Sequence, residues 1–362
     1  MELQQILFLK PNRVWRTYLG GRLLDEMEGK PQPTDGHFPE DWIASTTRAI
    51  NKGREHFGRE GLSSVEVEGR EWLLSELFAR FPNETLGPDH VRAFGPTSQF
   101  LFKLLDASVR LQIQCHPTID FAKAHLNSRS GKTEAYVILK TREDVAQPFI
   151  YLGFQRPPDP KEFRRAIVEQ DIPFILSCFD QIPVRAGDVF VVPGGVPHAI
   201  GAGVFMIEIM EPTDLVARIE FECGGYVLPE AARFMGRDVD FGLSMFQFEA
   251  ASPGEVRRRF FQSPSLARQD AGGAQYTLIG ERATPCFRVE RIEVHGIFEM
   301  KKNSFCGAIV TSGAGRVRAG AFARDIKSGD RFVIPFQTND VRFESGAKME
   351  IVCAFPPKPP AA

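Results

Sequence analysis

Two stretches of this chain, 142 residues apart, carry one strand pattern at identical offsets, and such a repeat confines the chain to a duplicated β-architecture. Residues 187–198 read Gly187-Asp188-Val189-Phe190-Val191-Val192-Pro193-Gly194-Gly195-Val196-Pro197-His198. Residues 329–340 read Gly329-Asp330-Arg331-Phe332-Val333-Ile334-Pro335-Phe336-Gln337-Thr338-Asn339-Asp340. The Gly-Asp, the Phe, the following Val and the Pro coincide. Each stretch is a turn, a short apolar strand and a proline stop. The first ends in a histidine able to bind a metal, and the second in an aspartate with no evident partner. The asymmetry points to two β-units of which one keeps the chemistry.

Elsewhere, short strand-like runs bounded by Gly, Pro, Asn and Asp dominate. The 31 Phe against five Tyr and three Trp suit a packed, mainly β fold. Helices are expected over Glu71–Phe81, Ile119–Asn127, Pro160–Glu169 and Pro229–Met235. Pro117-Thr118 with Asp120 in the first turn marks the start of the second. Residues 251–284 are richer in Gly, Ser, Arg and Pro. The expected division is therefore a metal-binding unit over 1–245, a connecting segment over 246–284 and a second unit over 285–362 that lacks metal ligands.

The chemistry concentrates near residue 115. In Ser108-Val109-Arg110-Leu111-Gln112-Ile113-Gln114-Cys115-His116-Pro117, alternation puts Leu111, Ile113 and Cys115 on one face. Arg110, Gln112, Gln114 and His116 take the other. Four polar groups on one face require water or a polar cavity, since burying them unpaired costs several kcal/mol. Gly131-Lys132-Thr133-Glu134 then leads into a strand, and His198 closes the Gly-x5-Pro-x-Gly-x2-His run. Gln114, His116, Glu134 and His198 offer one amide oxygen, two imidazoles and a carboxylate. That set suits Zn²⁺, and also Mn²⁺, Fe²⁺, Co²⁺ or Ni²⁺. Each residue alone would ordinarily be structural; the joint spacing singles them out.

These residues resemble the cupin superfamily, whose second motif has that Gly/Pro/Gly/His spacing, and more narrowly the type I mannose-6-phosphate isomerases. The likeness rests on Gln114-Cys115-His116-Pro117, Lys132-Thr133-Glu134 and Gly187-Asp188 through His198-Ala199-Ile200. It extends to Phe100–Asp106 and to Met206-Ile207-Glu208 with Thr213–Arg218. It covers roughly residues 98–222. The resemblance implies two cupin-like (RmlC-type jelly-roll) β-barrel domains with short helical insertions. It also implies zinc on Gln114, His116, Glu134 and His198, and interconversion of mannose 6-phosphate and fructose 6-phosphate through an enediol(ate). Lys132 is then a candidate base, and Arg218 a candidate for enediolate or phosphate charge, against a salt bridge to Glu220 or Glu222. Lys103 and Gln112 are candidate substrate contacts. Two departures fall near the substrate: Gln112 stands where the family usually has Ser, and Ile219-Glu220-Phe221 where it has Val-Tyr-Asp.

Other readings stay open: an isomerase or epimerase for a different sugar or sugar phosphate, a metal-dependent dioxygenase, or a sugar-binding cupin without turnover. Gln114-x-His116 counts against the dioxygenase, which usually carries His-x-His. Gly272-Gly273 and Gly313-Ala314-Gly315 lack a strand-to-helix GxGxxG context, so no nucleotide cofactor is expected. A net charge of −2 argues against a nucleic-acid partner, and no apolar run approaches the roughly 18 residues of a membrane span. Met1–Gln5 lacks the basic start of a secretory leader, and the six cysteines form no CxxC pair. The expectation is a cytoplasmic monomer or homodimer that takes a small-molecule sugar phosphate.

Overall fold

The computed structural model describes residues 5–360; the polar start Met1–Gln4 lies outside them. Both copies of the repeated strand exist and are built alike. Gly187 and Gly329 each adopt φ +91°, where glycine avoids the Cβ clash. In each copy the Asp carboxylate accepts the N–H three residues back, from Arg185 at 3.2 Å and from Lys327 at 2.8 Å.

The two units share a strand order. The first large sheet runs Val189–Val192, Glu134–Thr141, Val204–Met210, Leu101–Asp106, Glu40–Ile43, Arg13–Val14. The second runs Leu7–Phe8, Arg331–Ile334, Cys306–Ser312, Met349–Phe355, Arg288–Val294, Gly273–Ile279, Ser265–Asp270. Each is faced by a smaller sheet. One is Ile182–Pro183, Phe149–Leu152, His198–Ile200, Gln114–Cys115 and Ala217–Arg218; the other is Phe322–Lys327, Ala314–Ala319, Arg342–Glu344 and Ile297–Glu299. This is the paired β-unit arrangement that the repeat implies, in the jelly-roll form that the resemblance implies.

Period-2 alternation explains three separate cores. Inside the first unit, Leu105, Tyr136, Phe190 and Met206 meet Ile150, Leu152 and Ile200 of the facing sheet. Inside the second, Ile292, Val310, Phe332 and Ile351 meet Phe298, Val317 and Phe343. The opposite faces of the large sheets, Leu104, Val137, Val191 and Ile207 against Val289, Ile309, Val333 and Val352, pack the two units back to back. Strands buried on both faces are nearly all apolar, so the charged residues within them are conspicuous.

The helices differ in extent from expectation. Pro160–Glu169 forms as read, with Asp159 accepting the N–H of Lys161 and Glu162. Ile119–His125 stops two residues short, and only Leu74–Arg80 and Glu230–Arg233 of the other two are α-helical. Arg70–Leu73 pairs instead with Ser64–Val67. Within 246–284, expected to connect the units, Ser265–Asp270 and Gly273–Ile279 are strands of the second large sheet. Ser265–Asp270 is an exposed edge, which explains its polar composition. Among the described residues no helix is long and apolar enough to cross a membrane.

Candidate metal centre and its cavity

The two sheets of the first unit bring the expected ligands together. Glu134 begins the strand Glu134–Thr141, paired to Met210 and Val192. Gln114 lies between His198 and Arg218 in the facing sheet, as the Cα partner of both. His116 follows directly. Two close backbone approaches fix this corner: a Cβ on Gly194 would lie 2.6 Å from the Pro117 carbonyl oxygen, and one on Gly131 would meet the same atom at 2.6 Å.

His116, Glu134 and His198 are buried, with ligand atoms within 4.8 Å of one another. His116 Nε2 is 2.9 Å from Glu134 Oε1, and His198 Nε2 is 3.4 Å from Glu134 Oε2. The other ring nitrogens lie 2.9 Å from backbone carbonyls, His116 Nδ1 from Leu215 and His198 Nδ1 from Val196. A carbonyl can only accept, so each Nδ1 carries the hydrogen. Each Nε2 then presents a lone pair to the carboxylate. Burial, opposed by Glu134 and aided by Lys132, lowers the His116 pKa to about 3, so this ring is neutral. Although Glu134 Oε1 has these close neighbours, none meets it with hydrogen-bond geometry. Acceptors facing acceptors call for positive charge; Lys132 Nζ supplies some of it here, Tyr136 donates to Glu134 Oε2, and the two imidazoles with the carboxylate are a donor set that also fits a metal ion. Gln114 Nε2 lies 3.3 Å from His198 Nε2; exchanging its amide oxygen and nitrogen would turn an oxygen to the same point. Cys115 packs in the apolar core behind this strand, and burial raises its thiol pKa, consistent with the alternation.

Beside the centre lies a cleft lined among others by Gln112, Gln114, Lys132, Lys103, Glu208 and Arg218. Lys132 is buried, with Nζ 3.0 Å from Glu134 Oε1 and 3.1 Å from His116 Nε2. Gln112 is buried and its Nε2 has no partner. Arg218 has no carboxylate within ion-pair distance among the described residues. Burial and the neighbouring Arg16 lower its pKa, as expected of a cation short of anions.

Several expectations are corrected here. Glu220 does not pair with Arg218: it takes Arg110 through both oxygens, at 2.7 and 2.5 Å, and accepts the Ile113 N–H. Ile219 is fully buried in the apolar core. The departures at 219 and 220 therefore brace the strand and do not face the cavity; only Gln112 does. Leu111 turns to the cavity side with Gln112, because regular pairing begins only at Gln114. Lys103 is not an edge lysine with its ammonium in water. It is buried between Glu208 at 2.9 Å and Glu40 at 3.2 Å.

Sequence reasoning missed the cavity's second wall. Arg16 joins Glu40 at 3.0 Å to Asp214 at 2.8 Å, and Glu40 also accepts from Tyr18 and Trp42. Burial opposes ionisation of Glu40, but Arg16, Lys103 and these hydrogen bonds bring its pKa to about 2. Glu208 goes the other way: burial and the nearby Glu134 raise it to about 8. The available signal was alternation, since Lys103, Glu134 and Glu208 share the inner face of apolar strands with Leu105, Tyr136 and Met206.

Fold and site together define a double jelly-roll protein whose first copy gathers two imidazoles, a carboxylate and a lysine beside a charged cleft. No model of a protein family matches the chain. The chain is similar to mannose-6-phosphate isomerases: that of Streptococcus mutans serotype c is 24% identical over 321 residues, covering 84% of this chain and 93% of its own length. Its fold is that of the mannose 6-phosphate isomerase from Bacillus subtilis, with a TM-score of 0.72 and 22% identity, covering 96% of this chain and 99% of that one. A mannose 6-phosphate isomerase solved with zinc bound matches with a TM-score of 0.69 and 16% identity, over 96% of this chain and 98% of its own. The likeness carried by the motifs thus extends along most of the chain.

Proposed function

We propose that the protein is a metal-dependent aldose–ketose isomerase that interconverts mannose 6-phosphate and fructose 6-phosphate. The observation that carries this reading is the cluster of inward-facing acceptors on His116, Glu134 and His198, with Lys132 against it and the unpaired Arg218 in the same cleft. It is supported by similar proteins that bear this name, one of them solved with zinc. Gln114, His116, Glu134 and His198 would hold the ion, zinc being the metal the reading favours. When bound, a divalent ion would supply positive charge that stabilises an enediolate.

The remaining chemistry belongs to the side chains. Lys132 takes the proton from C2 as the C1=C2 bond of the enediolate forms, and returns it to C1. The hydroxyl proton on O2 passes to O1, directly or through solvent, as the C2 carbonyl appears, so the overall reaction loses and gains nothing. Arg218 offers a bidentate fork to the enediolate or the phosphate, and an anion there would repair its unpaired charge. Gln112 donates its free Nε2 hydrogens to a substrate oxygen. Lys103, already shared by Glu40 and Glu208, reaches the substrate only as part of that network. Gln112 in place of Ser is also the one observation favouring a second reading, in which the same chemistry acts on another sugar phosphate.

The test is formation of fructose 6-phosphate from mannose 6-phosphate by zinc-loaded protein beside a chelated sample. Turnover that disappears with the metal and returns on adding it back is the expected result. Zinc-loaded protein that turns over neither this substrate nor other hexose phosphates would reject the isomerase reading.

A further inference from the structure

One carboxylate of the first unit lies outside the cleft and contributes to neither the cation pocket nor the Arg16 network. Glu211 follows the strand Val204–Met210 and is 4% exposed. Oε1 accepts the Gly131 N–H at 3.0 Å and Oε2 the Thr133 N–H at 2.9 Å. These amides belong to the residues on either side of Lys132. The backbone N–H of Glu211 donates to the Thr133 carbonyl at 3.1 Å, and Thr213 Oγ1 donates to the Gly131 carbonyl at 2.7 Å. The Lys132 N–H itself is taken by the Pro117 carbonyl at 3.0 Å. The three-residue segment is thus held at five points. Gly131 cannot gain a Cβ without meeting Ile119 N and Pro117 O at 2.6 Å.

We infer that Glu211 is a positioning residue that fixes the backbone of Gly131–Thr133 and thereby sets Lys132 Nζ between His116 and Glu134. A buried carboxylate accepts two amides at once; neither a hydroxyl nor a neutral amide can do so with the same reach. The inference rests on the proposed role of Lys132, but the position of the clamp can be measured without it.

Glu211→Gln keeps the shape while turning an NH₂ towards one of the two amide N–H groups. Hydrogen exchange of the metal-loaded protein should show the Gly131 and Thr133 amides exchanging at least about tenfold faster, with other strands of the first large sheet unchanged. In kinetics, kcat should fall about 10- to 100-fold with KM changed less than about threefold, because a reacting group is displaced and no substrate contact is lost. In the Lys132→Ala background the same substitution should cost less than about twofold. Unchanged exchange at both amides would overturn the clamp. An equal kcat loss in both backgrounds would make Glu211 merely structural and overturn its action through Lys132. Thr213→Val, which removes one bond to Gly131, gives a milder form of the same effect if Glu211→Gln folds poorly. If wild-type protein lacks isomerase activity, the functional reading fails by itself, and the exchange measurement still decides whether the clamp exists.

Discussion

At the scale of single residues, the site follows from a conflict among lone pairs. Two imidazoles committed through Nδ1 to carbonyl oxygens, facing one carboxylate, have no hydrogen to share. His198→Ala removes one donor and is expected to lower metal affinity by at least about 10²-fold, with turnover lost in parallel. Metal content after dialysis checks this, and full activity without bound metal would contradict it. Gln112→Ala should raise KM about tenfold with kcat nearly unchanged, since one hydrogen bond to a substrate oxygen is worth about 1.4 kcal/mol at most. An unchanged KM would remove Gln112 from the substrate. The residues of the proposed ligand set were legible because alternation puts Gln114 and His116 on one face, while Glu134 and His198 sit at strand ends. Arg16, Glu40 and Asp214 were not legible: they lie in segments far apart in the chain, and an Arg or Asp in a loop reads as solvated until the fold brings it to a partner.

At the scale of elements, positions are set by backbone contact as much as by side chains. Helix Pro160–Glu169 could be read from sequence because Asp159, Pro160 and the spacing of Phe163, Ala166 and Ile167 are all local signals. The extent of the strand at Gln114 could not. Alternation carried the polar face back to Arg110, but pairing covers only Gln114–Cys115, and the chain before it turns Arg110 away to Glu220. Glycines matter where two elements touch. Gly194→Ala would press a Cβ against the Pro117 carbonyl, next to His116. It should shift that corner and weaken metal binding about 10-fold or more, at a modest cost in stability. Calorimetric zinc titration distinguishes this from a neutral substitution.

At the scale of the whole molecule, the repeat announced two β-units, and its hydrogen bonds recur in both copies. What the repeat could not reveal is that the large sheets pack back to back, because their outer faces resemble ordinary strand interiors. The charged wall of the cleft ties the first unit together over long separations, and its pH response can be isolated. Glu40 has a folded pKa near 2 against 4.5 for a free carboxyl. A lowered carboxyl contributes stability that is present above pH 4.5 and disappears as pH falls through 2. The contribution is roughly 3 kcal/mol. Glu208, raised to about 8, acts in the opposite sense, its share weakening as pH rises from 4.5 through 8. Comparing Glu40→Gln with wild type separates the two. The stability gap between them, from denaturant titrations at a series of pH values, should be widest above pH 5 and shrink towards pH 2. A gap that does not change with pH would mean that Glu40 is not the charge assigned here.

The strand Leu7–Phe8 has a consequence in time. It is synthesised well ahead of its partner, Arg331–Ile334, which lies more than three hundred residues later. At about 5–20 residues per second, a ribosome needs some tens of seconds to deliver that partner. Once Ala217–Arg218 is made, the first jelly roll can close and bring His116, Glu134 and His198 together, while its outer face, Leu104, Val137, Val191 and Ile207, still has nothing to cover it. A nascent chain of this protein therefore assembles its site before it is safe from aggregation, and the strands of the second large sheet complete its protection.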